Sequence, residues 1–212
     1  MSDVLDIHTH HTDGAPGEAI ISMDVRFFAP QPGYWYSVGI HPWEVPNVQE
    51  GDMASLLKHV SHPQVLAIGE TGFDRLRGAD MPAQFELLKQ HVMQAEASEK
   101  PLIIHMVKAA DMVLKARKML GTRGTWIIHG FRGKPQEAEQ LLKAGLYLSF
   151  GEHYNVDTLR ATPLDRLFLE TDEATCGIQF IYNKVAADLE MDVETLKEEV
   201  KKNIDRIFFK KK

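Results

Sequence analysis

The sequence predicts an α/β fold, namely a distorted TIM (β/α)8 barrel whose first two outer helices are reduced or missing. The chain contains eight short apolar runs rich in Val, Ile and Leu. Several of these runs lack a polar–apolar alternation, which is typical of parallel strands covered on both faces. Segments with helical periodicity follow most of the runs. An open doubly wound sheet is the alternative, but no Gly-rich dinucleotide fingerprint follows the first run.

The eight predicted strands set the frame of the barrel. Residues 9–18 are too few and too rich in Gly and Pro for a helix between the first two strands, and residues 24–33 end in a Pro-rich stretch. The first two outer helices are therefore expected to be reduced or absent. In chain order, the strands are predicted at residues 4–7, 19–23, 34–40, 65–69, 102–104, 125–128, 146–150 and 166–169.

Five outer helices are predicted from their N-terminal residues. Four begin near an aspartate that suits a helix cap, and one begins at a proline that suits a first helical position. Apolar residues at helical spacing follow each of them, and glycines end two of the segments. These signals are Asp52, Asp80, Asp111 with a stop at Gly121, Pro135 with a stop at Gly145, and Asp192.

Composition places the chain among ordinary globular proteins. It has 212 residues, of which 44% are hydrophobic and 25% charged, so disordered and fibrous classes are excluded. No repeat or linker is apparent, and we expect one domain over residues 1–212. The formal net charge of -6 argues against a protein that coats nucleic acid by charge alone. It does not exclude an enzyme that binds a few phosphates locally.

The expected location is the cytoplasm. The only cysteine, Cys176, cannot form an internal disulfide, which fits a reducing compartment. The first residues lack the basic and apolar regions of a signal peptide, and no apolar run reaches the roughly 18 residues of a membrane span. We expect no membrane association, and nothing in the sequence calls for an obligate protein partner.

Six of the predicted strands end in residues that can bind a metal ion. Because the carboxyl ends of parallel barrel strands meet at one rim, these side chains are expected to converge where barrel active sites form. In chain order, the strand ends carry His8 and His10, His41, Glu70, His105, His129, and Asp172.

A divalent metal centre is the chemistry that this pattern favours. Strand alternation puts His8 and His10 on the same side of the first strand, so both can face the barrel mouth. Six donors exceed what one tetrahedral ion needs but suit two ions bridged by a carboxylate. Mixed nitrogen and oxygen ligation suits Zn²⁺, Mn²⁺ or Fe²⁺, whereas Mg²⁺, also a candidate, prefers fewer imidazoles. The predicted ligands are His8, His10, Glu70, His105, His129 and Asp172.

Several cations and one further imidazole near the rim are candidate substrate contacts. They are Lys108, Arg132, Arg75, Arg77 and His153, and a solvated loop is an equal alternative for Arg75 and Arg77. The histidines away from the strand ends are expected to be solvated rather than functional. They are His59, His62 and His91.

Collinear motifs at the strand ends cover nearly the whole chain. They are Asp6-Ile7-His8-Thr9-His10, Gly39-Ile40-His41-Pro42, Gly69-Glu70-Thr71-Gly72-Phe73-Asp74, Pro101 through His105, His129-Gly130-Phe131-Arg132-Gly133 and Leu169-Glu170-Thr171-Asp172. Together they resemble the TatD family of metal-dependent hydrolases, a branch of the amidohydrolase superfamily whose members include deoxyribonucleases. The resemblance implies a distorted TIM barrel with a binuclear divalent metal centre.

The resemblance also implies how the ligands are shared. The first ion would be held by His8, His10 and Asp172, the second by His105 and His129, and Glu70 would bridge the two.

Further roles are implied for residues around the ligands. Asp172 would also orient or deprotonate the attacking water, and His41 would approach the substrate rather than a metal ion. Glu170 would contact the metal ligands rather than a metal ion. Where the family often has an arginine, this chain has Val107. The nearby cations that could replace that arginine at a phosphate are Lys108 and Arg132.

The predicted function is metal-dependent hydrolysis of a phosphodiester, in nucleic acid or a small molecule, by a deoxyribonuclease of the TatD type. Two cations suit a phosphodiester because the attacking and the leaving oxygen both need charge neutralisation. Hydrolysis of an amide, a lactone or another small ester by the same centre is the alternative among enzymes. A metal-binding scaffold without turnover is the alternative outside enzymes. Glu70 and Asp172 are the predicted catalytic residues.

Overall fold

Eight parallel strands form one sheet in which every strand lies beside its neighbours in sequence, in the order β1 to β8. The computed structural model describes residues 3–210, so residues 1, 2, 211 and 212, at the ends of the predicted domain, lie outside the described range. The strands are β1 Asp6–Thr9, β2 Ala19–Asp24, β3 Trp35–Gly39, β4 Val65–Asp74, β5 Leu102–Val107, β6 Trp126–Ile128, β7 Tyr147–Phe150 and β8 Leu167–Leu169.

The sheet closes into a barrel just beyond its eighth strand. Thr9 of β1 pairs in parallel with Asp172, which follows β8. His10 N donates to Asp172 O at 3.0 Å, and Asp172 N donates to His8 O at 2.9 Å. These contacts confirm the predicted barrel and place three of the predicted ligands side by side along the seam.

Helices cover the barrel from the third connection onward. Residues 10–18 between β1 and β2 and residues 25–34 between β2 and β3 contain no helix, which confirms the two predicted gaps. The helices are α1 Asp52–Val60, α2 Met81–Ser98, α3 Ala110–Leu120, α4 Pro135–Lys143, α5 Val156–Ala161, α6 Ile178–Asp188 and α7 Val193–Phe208, with short 3₁₀ helices at Pro42–Asn47 and Leu164–Arg166.

The helix starts agree with the capping signals where a side chain caps the helix. Asp80 and Asp192 each accept a hydrogen bond of 2.9 Å from the backbone N–H three residues ahead. Asp52 and Asp111 instead lie in the first turns of α1 and α3. Helices α5 and α6 are absent from the prediction, because α5 has only 6 residues and Gly177 before α6 offers no capping side chain.

Two strands extend at least three residues beyond their predicted ends, and this changes how the rim is built. β4 continues to Asp74 and β5 continues to Val107, so Glu70 and His105 lie within strands rather than at their ends. Each of these predicted strands ends before its first polar residue. In the structure the strands continue, because polar side chains at the barrel mouth are also buried. Alternation along β4 places Glu70, Gly72 and Asp74 on the same face of the strand.

The barrel interior and the layer beneath the helices form one apolar core. Every residue of β1, β6, β7 and β8 is buried, as expected for strands covered on both faces. In the part of the chain that the structure describes, no helix is both long and apolar enough to cross a membrane.

Candidate metal centre

Glu70 lies at the centre of the carboxyl-terminal rim, and its two carboxylate oxygens face different groups of side chains. The residue is only 6% exposed. Its Oε2 lies 3.4 Å from Nε2 of His8 and 3.4 Å from Nε2 of His10. Its Oε1 lies 2.6 Å from Nδ1 of His105 and 2.7 Å from Nε2 of His129. The residue predicted to bridge two ions therefore lies between two pairs of imidazoles.

A close backbone approach positions Glu70. A Cβ atom on Gly39 of β3 would lie 2.7 Å from the backbone of Gly69 in β4. Gly69 has φ +138°, and a Cβ atom there would lie 2.5 Å from the carbonyl oxygen of Ile103. Only glycine fits such positions without strain. The two glycines therefore let β3, β4 and β5 draw together next to Glu70.

The first donor group combines two imidazoles with two carboxylates. Asp172 Oδ1 lies 3.7 Å from Nε2 of His8 and 3.7 Å from Nε2 of His10. The same nitrogens lie 3.4 Å from Glu70 Oε2. Four tetrahedral ligands bound to an ion at 2.0–2.2 Å lie about 3.4 Å from one another. The four imidazole–carboxylate distances are therefore close to those between ligands of one divalent ion.

His8 supplies an independent test of this fit. The residue is fully buried, and within residues 3–210 neither of its ring nitrogens has a hydrogen-bond partner. Burying a polar group without a partner is costly, so such groups normally have one. A cation bound at Nε2 would satisfy that nitrogen. Two side chains of this donor group are open to solvent. That of His10 is 41% exposed and that of Asp172 is 28% exposed.

Carboxylates behind His105 and His129 fix which ring nitrogen of each is free to bind a metal ion. His129 Nδ1 lies 3.2 Å from Glu170 Oε1, and His105 Nε2 lies 3.2 Å from Asp74 Oδ2. Each of these nitrogens can keep its N–H, because the carboxylate behind it accepts a hydrogen bond. The opposite nitrogens, His129 Nε2 and His105 Nδ1, face Glu70, and a metal ion that displaced the proton there would bind their lone pairs. Carboxylates commonly orient metal-binding histidines in this way.

Asp74 belongs to this site, although no role is predicted for it from the sequence. Besides His105, its carboxylate accepts hydrogen bonds from Trp43 Nε1 at 2.6 Å, Leu76 N at 2.7 Å and Arg77 N at 3.1 Å. Burial opposes ionisation, but the hydrogen bonds from Trp43, Leu76 and His105 lower the pKa of Asp74. One carboxylate thus joins an imidazole of the cluster to the loop after β4.

His41 lies among the imidazoles, yet its hydrogen bonds set it apart. Its Nδ1 accepts a hydrogen bond from Trp43 N at 3.2 Å, so the proton of the neutral ring is on Nε2. That Nε2 lies 3.1 Å from Glu70 Oε1 and 3.2 Å from His105 Nδ1. Burial lowers the pKa of His41, which favours the neutral ring. His41 therefore presents an N–H, rather than a lone pair, to the cluster.

The charges around Glu70 favour a cation. Burial opposes its ionisation, but the charge of His129 and hydrogen bonds from His10, His105 and His129 hold the pKa of Glu70 well below its ordinary value. Burial also opposes the charge of His129, yet Glu70 and Glu170 raise the pKa of His129 well above its ordinary value. A metal ion bound by this cluster would replace a proton.

Asp6 supports the seam of the barrel and is a second residue without a predicted role. Its carboxylate accepts hydrogen bonds from Thr171 Oγ1 at 2.6 Å, Thr171 N at 3.1 Å and His8 N at 3.2 Å. Burial raises the pKa of Asp6 to about 7. These contacts tie β1 to the segment after β8, so they hold the backbones of His8 and Asp172 in register.

A cleft of about 290 Å³ opens above the cluster at the barrel mouth. Residues from β1 to β6 and from the segment after β8 contribute to its wall. Those that carry the chemistry are His10, His41, Glu70, His105, His129 and Asp172, with Trp43 beside them.

The predicted substrate contacts are spread around this cleft rather than gathered in it. Arg132 and His153 line an adjoining recess of about 210 Å³ on the β6–β8 side, which shares Asp172 and Glu173 with the cleft. Lys108 is exposed at the end of β5 and lines neither space. Arg75 donates to Asp111 Oδ2 at 2.6 Å and to the carbonyl oxygen of Lys108 at 2.9 Å, so its guanidinium is already engaged.

The prediction that His91 is solvated is wrong. The residue lies in α2 and is fully buried, where its Nδ1 donates to Leu87 O at 2.9 Å and its Nε2 accepts from Ile40 N at 3.0 Å. Burial lowers the pKa of His91 to about 4. Ile40 directly precedes His41, so this buried ring supports the backbone at the end of β3.

The fold and the donor cluster together define a parallel barrel with a candidate metal centre at its carboxyl-terminal rim. A family model described as "TatD related DNase" matches residues 24–209. The chain therefore belongs to the TatD family, which confirms the resemblance seen in its motifs.

Curated relatives carry related names. An "Uncharacterized metal-dependent hydrolase" of Buchnera aphidicola is 30% identical over 145 residues, 64% of this chain and 54% of that protein. A "3'-5' ssDNA/RNA exonuclease TatD" of Musicola paradisiaca is 29% identical over 205 residues, 84% of this chain and 78% of that protein. The chain spans little more than half the length of the Buchnera aphidicola relative and of a Mycobacterium tuberculosis relative, at 54% and 56%.

Solved structures share the fold. The TatD homolog YJJV of Escherichia coli K12 matches with a TM-score of 0.81 at 19% identity, over 99% of both chains. A hydrolase TatD family protein of Entamoeba histolytica matches with a TM-score of 0.77 at 17% identity, over 97% of this chain and 98% of the other.

Proposed function

We propose that this protein is a metal-dependent phosphodiesterase that hydrolyses single-stranded nucleic acid. Relatives named "3'-5' ssDNA/RNA exonuclease TatD" support the substrate class. The observation that carries the proposal is the position of Glu70, which faces His8 and His10 with one oxygen and the other imidazole pair with the second. A carboxylate that bridges two cations needs this placement.

The donors divide into two ligand sets. When bound, divalent cations lower the pKa of a coordinated water and neutralise charge on phosphate oxygens. The mixture of imidazoles and carboxylates favours Zn²⁺ or Mn²⁺ over Mg²⁺. One ion would be held by His8, His10, Asp172 and Glu70, and the other by His105, His129 and Glu70.

Asp172 is the proposed general base. Its side chain is 28% exposed, whereas that of Glu70 is only 5% exposed, so Asp172 is the more accessible of these two carboxylates to a water in the cleft. Asp172 accepts the proton of that water as the water oxygen bonds to phosphorus and the bond from phosphorus to the leaving ester oxygen breaks, and the proton can then pass to the leaving oxygen. His41, which presents an N–H at the cleft wall, is placed to donate a hydrogen bond to a phosphate oxygen.

Turnover measurements on Mn²⁺- and Zn²⁺-loaded protein test the proposal. A single-stranded oligonucleotide and a model phosphodiester are both expected to be hydrolysed. Glu70→Gln is expected to abolish turnover and to reduce the bound metal, because it removes the charge that both ligand sets share. Glu139→Gln, in an exposed ion pair on α4, is the control and should retain both.

The alternatives give different results in the same assays. Hydrolysis of amides or lactones without hydrolysis of either phosphodiester would replace the nuclease with an amidohydrolase or a lactonase. Metal-loaded protein that is inert towards every one of these substrates would indicate a scaffold without turnover.

A further inference from the structure

Several arginines near the cleft are already engaged by carboxylates. Arg26 is held by Asp24 and Glu44 at 2.6 and 2.8 Å, and Arg75 is held by Asp111 at 2.6 Å. Arg77, two residues beyond Arg75 in the same loop, is exposed, and its guanidinium has no carboxylate partner within residues 3–210. Its charge is therefore available to an anionic ligand.

The guanidinium of Arg77 is nevertheless held in place. Its Cζ lies 3.7 Å from the ring centroid of Trp43, which lines the cleft. The Trp43 ring in turn lies 4.5 Å from the ring of His41, centroid to centroid. A single indole thus separates the guanidinium from the imidazole cluster. Stacking over an aromatic ring leaves the N–H groups at the edge of the guanidinium free to bind an anion.

The backbone around Arg77 fixes this stack. Gly78 has φ +91°, and a Cβ atom there would lie 2.6 Å from the carbonyl oxygen of Pro42. Glycine is therefore required where the loop after β4 packs against the turn that carries Trp43. Asp74 binds the same two segments, since it accepts hydrogen bonds from Trp43 Nε1 and Arg77 N.

We infer that Arg77 binds the phosphate next to the scissile one in a single-stranded nucleic acid, with Trp43 as the ring that orients it. This assignment rests on the proposed function and names the contact that distinguishes a polynucleotide from a small phosphodiester. The cleft of about 290 Å³ has room for about one nucleotide, so we place the next phosphate of the chain at its edge. Arg77 lies beside this edge, across the Trp43 ring from the imidazole cluster.

Preorganisation separates Arg77 from the other candidate cations. Lys108 and Arg132 are also exposed, but in the described part of the chain no ring or carboxylate holds their side chains. A side chain that is already fixed loses less conformational freedom when it binds a ligand. A guanidinium also matches the two oxygens of a phosphate better than an ammonium does.

The test is the salt dependence of binding of a cleavage-resistant phosphorothioate oligothymidylate to the metal-loaded protein. Each phosphate contact with a single strand adds about 0.7 to the slope of log affinity against log salt. Arg77→Gln is expected to reduce that slope by about 0.7 and to weaken binding at low salt. Arg75→Gln makes the same change of charge in the same loop and should keep the wild-type slope. Trp43→Leu retains the charge of Arg77 but removes the ring, and should weaken binding.

The possible failures are distinguishable. A wild-type slope for Arg77→Gln, an equal loss for Arg75→Gln, or wild-type protein without salt-dependent binding would each overturn the assignment of Arg77. If the expected slopes are found but no metal supports hydrolysis of any phosphodiester, the proposed function fails while the phosphate contact stands.

Discussion

Replacing His91 with Phe tests the buried hydrogen bond that supports the end of β3. At pH 7 the aromatic ring can fill the same space, but the N–H of Ile40 loses its acceptor. A buried donor without a partner costs about 1–3 kcal/mol. The carbonyl oxygen of Leu87 loses less, because it still accepts the helical hydrogen bond from residue 91. His91→Phe is therefore expected to lower the free energy of unfolding by about 2 kcal/mol at neutral pH.

The size of this loss should depend on pH. Burial lowers the pKa of His91 from 6.5 to about 4. Below about pH 6.5 the unfolded chain binds a proton at His91 that the folded chain does not, so wild-type stability falls as the pH falls through this window. The loss reaches about 2 kcal/mol at pH 5. Phenylalanine does not titrate, so the stability of His91→Phe does not fall in this way. The two proteins should therefore become about equally stable near pH 5.

Urea denaturation followed by tryptophan fluorescence at several values between pH 5 and pH 8 measures this difference. The histidines around Glu70 titrate in both proteins. Their contribution therefore cancels when the unfolding free energy of one protein is subtracted from that of the other. His153→Phe, at an imidazole whose side chain is 68% exposed, is the control and should show a small difference at every pH. A difference for His91→Phe that is constant with pH would refute the buried neutral imidazole. A difference near zero at pH 7 would refute the supporting hydrogen bond.

Three further substitutions test other parts of the structure. Asp172→Asn is expected to lower kcat by about 10²–10⁴-fold, measured on an oligonucleotide, because it removes the proposed base; wild-type kcat would contradict that role. Asp74→Asn should weaken metal binding about 10–100-fold in a chelator competition, and unchanged affinity would show that orientation of His105 is unimportant. Gly78→Ala should destabilise the protein by about 1–3 kcal/mol in thermal melts. Gly51→Ala, where a Cβ meets nothing within 4 Å, is its control, and equal melting temperatures would contradict the predicted strain.

The sequence predicts the barrel and its rim well because both depend on local patterns. Each strand is a short apolar run, and His8, His129 and Asp172 lie within or just after such runs. The gaps in the helical layer are equally local, since they follow from the length and the Gly and Pro content of two connections.

Errors arise where a buried polar residue interrupts an apolar pattern. Ending β4 at residue 69 hid the alternation that places Asp74 on the same face as Glu70. His91 lies three and four residues after two buried leucines of α2, Leu88 and Leu87, so helical spacing marks its position as buried despite its polarity.

Contacts between distant segments could not be predicted from the sequence. Arg75 and Arg77 look equivalent in one loop, yet Asp111 of α3 engages the first and Trp43, in the turn after β3, holds the second. The separation of these partners along the chain leaves no local signal. Only the fold decides which of the two charges is available to a ligand.

Metal titration of chelator-treated protein tests most directly whether the donors around Glu70 form a binuclear centre. Calorimetry with Zn²⁺ or Mn²⁺ is expected to show two ions bound per chain. His8→Asn and His129→Asn should each retain one of them, and Glu70→Gln should weaken both. A wild-type protein that binds one ion or none, or two ions bound unchanged by Glu70→Gln, would contradict a centre bridged by this carboxylate.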